Sequence, residues 1–283
     1  MPIPNYPAII LVAYGSLQSQ AMDTYASIKK HYEIEFSGSD VRLALTSEHI
    51  RQRISKRYGI VIPSPLVALA DLQDQGYRDV AVQSLQIVPG SEFHELALLV
   101  QGMKGIKGRF GFGRLEMGMP LLSSLEDCRK VSEALGPVLD RITVEGKHRE
   151  LQRDPEEEAV VLVGHGSRLP GESVYIQMAI ILEQSHRNVF LGTLEGHPGI
   201  SEAILHLKKA KVKRARLIPF LLVSGGHVLH DMAGESKDSW KSIIESEGFE
   251  TRTYLEGLGD RKEIIDIFID HTRRAVNMMT SNP

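Results

Sequence analysis

Val160-Val-Leu-Val-Gly-His-Gly-Ser167 is a short apolar run that stops abruptly at a Gly-His-Gly-Ser turn. Consecutive apolar side chains bounded by turn residues read as a buried strand of a parallel sheet, with His165 carried at its end. Two further apolar stretches finish in the same way: Asn188–Leu194 precedes Glu195, and Ala215–Gly226 precedes His227. Strands alternating with helices place these three side chains on loops at one edge of one sheet, the edge where open α/β folds bind ligands. Two imidazoles and a carboxylate suit a borderline divalent metal, and they also take up protons.

A chain of 283 residues has room for two domains of about 100–150 residues each. With 42% hydrophobic and 24% charged residues, the composition is that of a soluble globular protein. A net charge of −3 gives no electrostatic case for nucleic acid or an acidic membrane surface. The lone Cys128 excludes an internal disulfide and reads as incidental. Met1–Pro7 lacks the basic start and apolar core of a signal peptide, and no later run approaches a membrane span. The expectation is a cytoplasmic protein, although a mature exported form would look the same.

The pattern begins with a strand at Ala8–Ala13 and a helix at Gln20–Glu33, then a strand at Val41–Leu45 and a helix at Ser47–Tyr58. Ser64-Pro65 is a helix start, because Ser caps free N–H groups and Pro is tolerated at the first helical position. A strand over Asp79–Val88, a helix over Ser91–Met103, a strand over Gly111–Met117 and a helix over Leu122–Leu135 follow. The glycines from 102 to 113 form a turn-rich connection, not a phosphate loop, and no nucleotide-binding motif is present. The charged stretch 144–158 reads as a linker. Beyond it come a strand to Val163, a helix over Gly171–His186, a strand through Leu191, a helix over Ile200–Ala210 and a strand over Arg216–Val223. A polar helix around Asp238–Glu247, a strand at Thr251–Leu255 and a closing helix from Arg261 to about Met279 complete the chain.

The second half repeats the first. Val12-Ala-Tyr-Gly-Ser16 matches Val163-Gly-His-Gly-Ser167, Thr46-Ser-Glu48 matches Thr193-Leu-Glu195, and Ile87-Val-Pro-Gly-Ser-Glu92 aligns with Leu222-Val-Ser-Gly-Gly-His227. The expected fold is therefore α/β, with two similar Rossmann-like domains, each built on a parallel sheet, in a bilobal arrangement. Residues 1–143 form one cleft wall and residues 159–283 carry the metal site, with the closing helix free to fold back on the N-terminal domain. Tyr14 and Glu92 occupy the counterparts of His165 and His227, so one half holds metal and the other shapes the pocket.

The segments LVGHGS (162–167), VFLGTLEGHPG (189–199), ARLIPFLLVSGGHVLHDMAG (215–234) and ESKDSWKSIIESEGFE (235–250) resemble the anaerobic sirohydrochlorin cobaltochelatases, relatives of the class II ferrochelatases. VAYGS (12–16), LALTSEHI (43–50) and DLQDQGYRDVAVQSLQIVPGSEFHEL (71–96) resemble the other half of that family. The resemblance implies a chelatase-like bilobal fold and insertion of cobalt(II) into sirohydrochlorin in anaerobic cobalamin synthesis. It also implies that His165, Glu195 and His227 are the metal-site residues. The chain departs from the family pattern at Gln86, where a His is expected, and at Tyr14, where a Phe is expected. Some relatives carry a haem between subunits, which leaves a homo-oligomer open; His94 reads as a polar helix-face residue instead of a haem ligand.

Taken singly, each of the three residues has a plainer reading. His165 could cap a strand-to-helix turn, Glu195 could face the free N–H groups of a helix start, and His227 could cap the next helix. All three motifs together, matched in order to the family they resemble, favour metal chemistry. Imidazole with one carboxylate holds cobalt exchangeably, whereas all-thiolate ligation would hold it too tightly for transfer. For the macrocycle, Tyr14, Gln86, Ile87, Val88, Pro89, Ser91 and Glu92 are candidate contacts from the first half, and Arg168, Val223 and Ser224 from the second. Two other readings share these residues, iron(II) insertion for sirohaem and metal trafficking without chelatase activity, and a third, metal-free small-molecule binding, shares only the βα architecture.

Overall fold

The computed structural model describes residues 6–143, 150–152, 157–168 and 170–281. The chain divides into two compact units, Met1–Ser123 with Gly259–Pro283, and Ser124–Leu258.

In the first unit, β1 (Ala8–Ala13) leads into α1 (Ser19–Glu35), then β2 (Val41–Leu45), α2 (Glu48–Tyr58), α3 (Pro65–Asp74), β3 (Asp79–Ser84), α4 (Ser91–Gly105) and β4 (Arg114–Gly118). The four strands are parallel in the order β2-β1-β3-β4. Every side chain of β1 is buried, as a central strand covered on both faces requires. Ser64 accepts a hydrogen bond from Val67 N–H at 3.3 Å and Pro65 opens α3, the start its sequence dictates. The expected strand over Asp79–Val88 ends four residues early, at Ser84. Gln86 O and Ile87 O there accept hydrogen bonds from Leu121 and Leu122 N–H, so this apolar segment is a pinned loop.

The second unit opens with α5 (Leu125–Asp140), which packs on α6. α5 continues through Gly136-Pro137, beyond the expected end at Leu135, because Leu139 is still buried on its inner face. The stretch expected as a linker is only partly described: 144–149 and 153–156 lie outside the described residues. Within the rest, β5 (Arg141–Thr143) pairs antiparallel with β6 (Glu150–Gln152). Then follow β7 (Glu158–Gly166), α6 (Gly171–Ser185), β8 (Val189–Glu195), α7 (Ile200–Ala210), β9 (Arg214–Phe220), α8 (Trp240–Ser246) and β10 (Glu250–Thr253). The large sheet is again all parallel, in the order β10-β9-β7-β8. Numbered by sequence within each unit, both sheets run 2-1-3-4, so the short motif repeats mark a repeated topology.

α9 (Lys262–Ser281) returns to the first unit and covers β4 and β3. A buried polar chain fastens it there. Thr272 Oγ1 donates to Gln83 Oε1 at 2.8 Å and lies 3.1 Å from the Tyr32 hydroxyl. Gln83 Nε2 donates onward to Ser84 O at 2.6 Å and Met119 O at 2.8 Å. Thr272, Gln83 and Tyr32 thus satisfy one another inside the core, as burial demands.

Glu158 corrects the reading of the charged stretch. It is the first residue of β7, fully buried, and forms an ion pair with Arg216 on β9. Val160 lies opposite Arg216 in the register, so Glu158 and Arg216 are diagonal neighbours on one face. Removing one member of such a pair strands a buried charge, whereas replacing both need not. Arg216→Met should cost about 3–5 kcal/mol in urea unfolding, and Glu158→Leu with Arg216→Met should recover most of it. Equal losses in the single and double variants would show that the pair is not coupled.

Candidate functional site

In a 2-1-3-4 sheet the strand order reverses between the first and third strands, and ligands bind outside the carboxyl ends there. In the second unit that point lies between β7 and β9. His165 sits at the end of β7, and His227 opens a π-helical turn, His227–Met232, after β9. Their rings meet edge to face, 4.6 Å between centroids at 88°. Glu195 is the last residue of β8, paired in register with Gly166. Among the described residues no three His, Cys, Asp or Glu side chains are grouped so as to hold a metal ion. The fold therefore brings the two imidazoles together and the Glu195 backbone alongside, without a closed three-ligand cage.

The close approach of β7 and β8 depends on Gly166. Its φ is +95°, and a Cβ built there would lie 1.6 Å from the Glu195 carbonyl oxygen. The first unit repeats this device at Gly15, φ +111°, where a Cβ would meet Ile50 at 2.9 Å. Behind each turn stands a buried tyrosine from the following helix, Tyr25 on α1 and Tyr175 on α6, hydrogen-bonded to the backbone of Gly15 and Gly166 respectively. Burial pushes the Tyr175 phenol up to about 12, outweighing that hydrogen bond, and raises Tyr25 in the same way. Both hydroxyls stay protonated and serve as struts. Neither was apparent in the sequence, although each follows its glycine by nearly the same interval.

Asp231 was also missed. Its Oδ2 lies 2.6 Å from His227 Nδ1, one helical turn away. A carboxylate only accepts, so Nδ1 carries the proton and Nε2 of the neutral ring keeps its lone pair for a metal. The i,i+4 spacing of His227 and Asp231 was the signal in the sequence.

The candidate macrocycle contacts divide by exposure. Tyr14, Ser91 and Arg168 are exposed, and Pro89 and Val223 are half-buried. Gln86 accepts from Ser84 Oγ at 2.5 Å and donates to Glu92 Oε2 at 3.4 Å. Ile87 and Val88 are each 8% exposed, which leaves little surface for a ligand. Ser224 is buried and its hydroxyl is taken up by Leu255 O. His94 holds Gly90 O through Nδ1 at 2.7 Å.

Two parallel sheets of this order, with the ligand edge of the second furnished by histidines, define a chelatase-type α/β fold. SirB from Bacillus subtilis with Fe3+ shares it at a TM-score of 0.64 and 16% identity, over 98% of each chain. The structure of CbiX, described as the terminal enzyme for biosynthesis of siroheme in denitrifying bacteria, shares it at 0.54 and 17%, over 95% of this chain and 99% of that one. The chain belongs to the cobalt chelatase (CbiK) family, which matches residues 7–277. It is 33% identical to the sirohydrochlorin cobaltochelatase CbiKC of Nitratidesulfovibrio vulgaris over 96% of this chain and 91% of that protein. It is 30% identical to the sirohydrochlorin cobaltochelatase of Salmonella typhimurium over 96% and 97%.

Gly166→Ala combines a left-handed backbone with a backbone collision, whereas Gly248, at φ +92°, has open space around its Cβ position. Gly166→Ala should lower the unfolding free energy by about 2–4 kcal/mol, and Gly248→Ala by about 1 kcal/mol. Equal urea midpoints for the two variants would remove the close approach as the constraint.

Proposed function

We propose that this protein inserts cobalt(II) into sirohydrochlorin, forming cobalt-sirohydrochlorin and releasing two protons. The meeting of the His165 and His227 rings at the switch point of the second sheet carries this reading, and membership of the cobalt chelatase family supports it. Cobalt is the substrate metal. It must shed water, be held loosely and pass to four ring nitrogens as two pyrrole N–H protons leave. His227, with its Nδ1 proton held by Asp231, offers Nε2 to the metal. His165 supplies the second imidazole, and Glu195 supplies negative charge and a proton acceptor from the neighbouring strand end.

The substrate is a tetrapyrrole and not a nucleic acid, in keeping with the net charge of −3. Among the described residues no helix is long and apolar enough to cross a membrane. We place the reaction in the cytoplasm and leave room for assembly into a homo-oligomer.

His165→Ala or His227→Ala should lower insertion at limiting cobalt by about a hundredfold or more, and Asp231→Ala by about tenfold. Circular dichroism should stay native, because these side chains contribute little to the core. Glu195→Gln keeps the size and removes the charge, so insertion falls even at saturating cobalt. Anaerobic absorption of sirohydrochlorin with Co²⁺ and Fe²⁺ supplies the measurement. Normal turnover by both histidine variants sinks the site, and cobalt binding without a spectral change in the ring points to trafficking instead.

Acidification should reduce insertion, because proton and metal compete for the same imidazole lone pairs. Raising free cobalt should recover part of the loss. A profile indifferent to cobalt, with folding followed in parallel, would exclude the competition.

A further inference from the structure

α2 is an addition to the repeat. The second unit joins its first and second crossover-linked strands to the third with a single helix, α7, between β8 and β9, whereas the first unit places both α2 and α3 between β2 and β3. α3 packs on β1 and β2 as the crossover. α2 instead lies at the carboxyl edge of the sheet, held at both ends by the loop after β1. At its start Ser47 N–H donates to Tyr14 O at 3.2 Å, and at its end the Tyr58 hydroxyl donates to Leu17 O at 3.2 Å. The chain then returns to the same edge, where Leu45 N–H donates to Pro63 O at 3.0 Å. This is the ligand-binding edge of the first unit.

The exposed face of α2 is basic. His49, Arg53, Lys56 and Arg57 fall at i, i+4, i+7 and i+8, one exposed stripe of the helix that flanks the side burying Ile54. None of the four has a carboxylate partner among the described residues, although ion pairs are common on the other helices. Arg57 stacks over the Tyr58 ring at 5.1 Å. Exposed apolar side chains stand near both ends of the helix: Tyr14, whose carbonyl holds Ser47 at its start, is 52% exposed, and Ile60 and Val61, just past its end, are 50% and 82% exposed. Uncompensated cations next to exposed apolar side chains, in a chain of net charge −3, match a ligand that is itself an apolar plate rimmed by carboxylates.

We propose that α2 with Tyr14, Ile60 and Val61 forms the first unit's docking surface for the tetrapyrrole, the cations pairing with its acetate and propionate side chains while these apolar side chains lie against the ring. This rests on the tetrapyrrole reading above. It assigns substrate affinity to residues away from the metal-site histidines.

The test compares the full chain, the variant Arg53→Glu/Lys56→Glu/Arg57→Glu, and a control with the same change in charge, Lys209→Glu/Lys211→Glu/Lys213→Glu, at the far end of α7. Binding of uroporphyrin, whose rim is all carboxylate, is followed by fluorescence at low and high salt. A porphyrin of equal ring size with neutral hydroxyl groups on its rim is run beside it. The α2 reversal should weaken uroporphyrin binding about tenfold and flatten its salt dependence, since exposed pairs are individually weak and screened. The neutral ring should bind all three proteins alike, and Val61→Asp should weaken both rings. In turnover, KM for sirohydrochlorin should rise while kcat and KM for cobalt hold. Unchanged uroporphyrin affinity in the α2 variant, or an equal loss in the control, overturns the proposal. The two readings fail separately: carboxylate-dependent binding through α2 with no cobalt insertion by the full chain leaves docking standing and removes the chelatase, and normal insertion by an α2 variant with unchanged KM does the reverse.

Discussion

The ends of β7 and β8 touch because residue 166 has no side chain. The Glu195 carbonyl occupies the place a Cβ would take, and this contact sets how far apart the two loops can stand. His165 is one residue before the contact and Glu195 is the contact, so both are located by backbone packing and not by attraction to each other. The buried Tyr175 hydroxyl holds the turn from behind. His227 then needs only the parallel pairing of β9 with β7 to arrive beside His165. The histidine pair is thus a product of sheet geometry, and Asp231 refines it by orienting one ring.

The main parallel strands could be located along the chain because buried parallel strands write themselves as apolar runs ending in turn residues; their order within each sheet came only from the structure. The Gly-x-Gly turns at 164–166 and the Ser64-Pro65 cap carried their own conformations. The sequence misled where apolar character and strand geometry part company. Leu85, Ile87 and Val88 are apolar because they are buried, yet after Leu85 N–H, which still bonds Val12 O on β1, the carbonyls of Gln86 and Ile87 accept from Leu121 and Leu122 instead of continuing the ladder. Glu158 misled in the opposite sense, since a carboxylate in an acidic run gives no sign that an arginine waits on the next strand. Gly136-Pro137 looked like a helix end, and tertiary burial of Leu139 overrode the local preference.

For the candidate site, His165 could be placed from sequence because it lies at a strand end, and His227 because it opens the turn that follows the next inner strand. Which of the candidate macrocycle side chains face outward was harder to read. A residue near the ligand edge is a contact only if its side chain faces outward, and alternation along a short loop does not reveal that. Ile87 and Val88 turn inward, whereas Ile60 and Val61, which read as mere connection between two helices, turn outward. Tyr25 and Tyr175 escaped notice because an aromatic on the inner face of a helix looks the same whether it fills a core or supports a turn.

The return of α9 to the first unit has a consequence for biosynthesis. The second unit is a continuous stretch, Ser124–Leu258, while the first is assembled from both sides of it. A growing chain presents β3 and β4 to the ribosome exit long before Lys262–Ser281 exists to cover them. The nascent first unit carries an exposed apolar flank while the second is being made, and it can close only after the last helix emerges. Completion of the first unit therefore waits on the synthesis of Lys262–Ser281, so a chain lacking that helix would expose that flank whatever the state of its histidines.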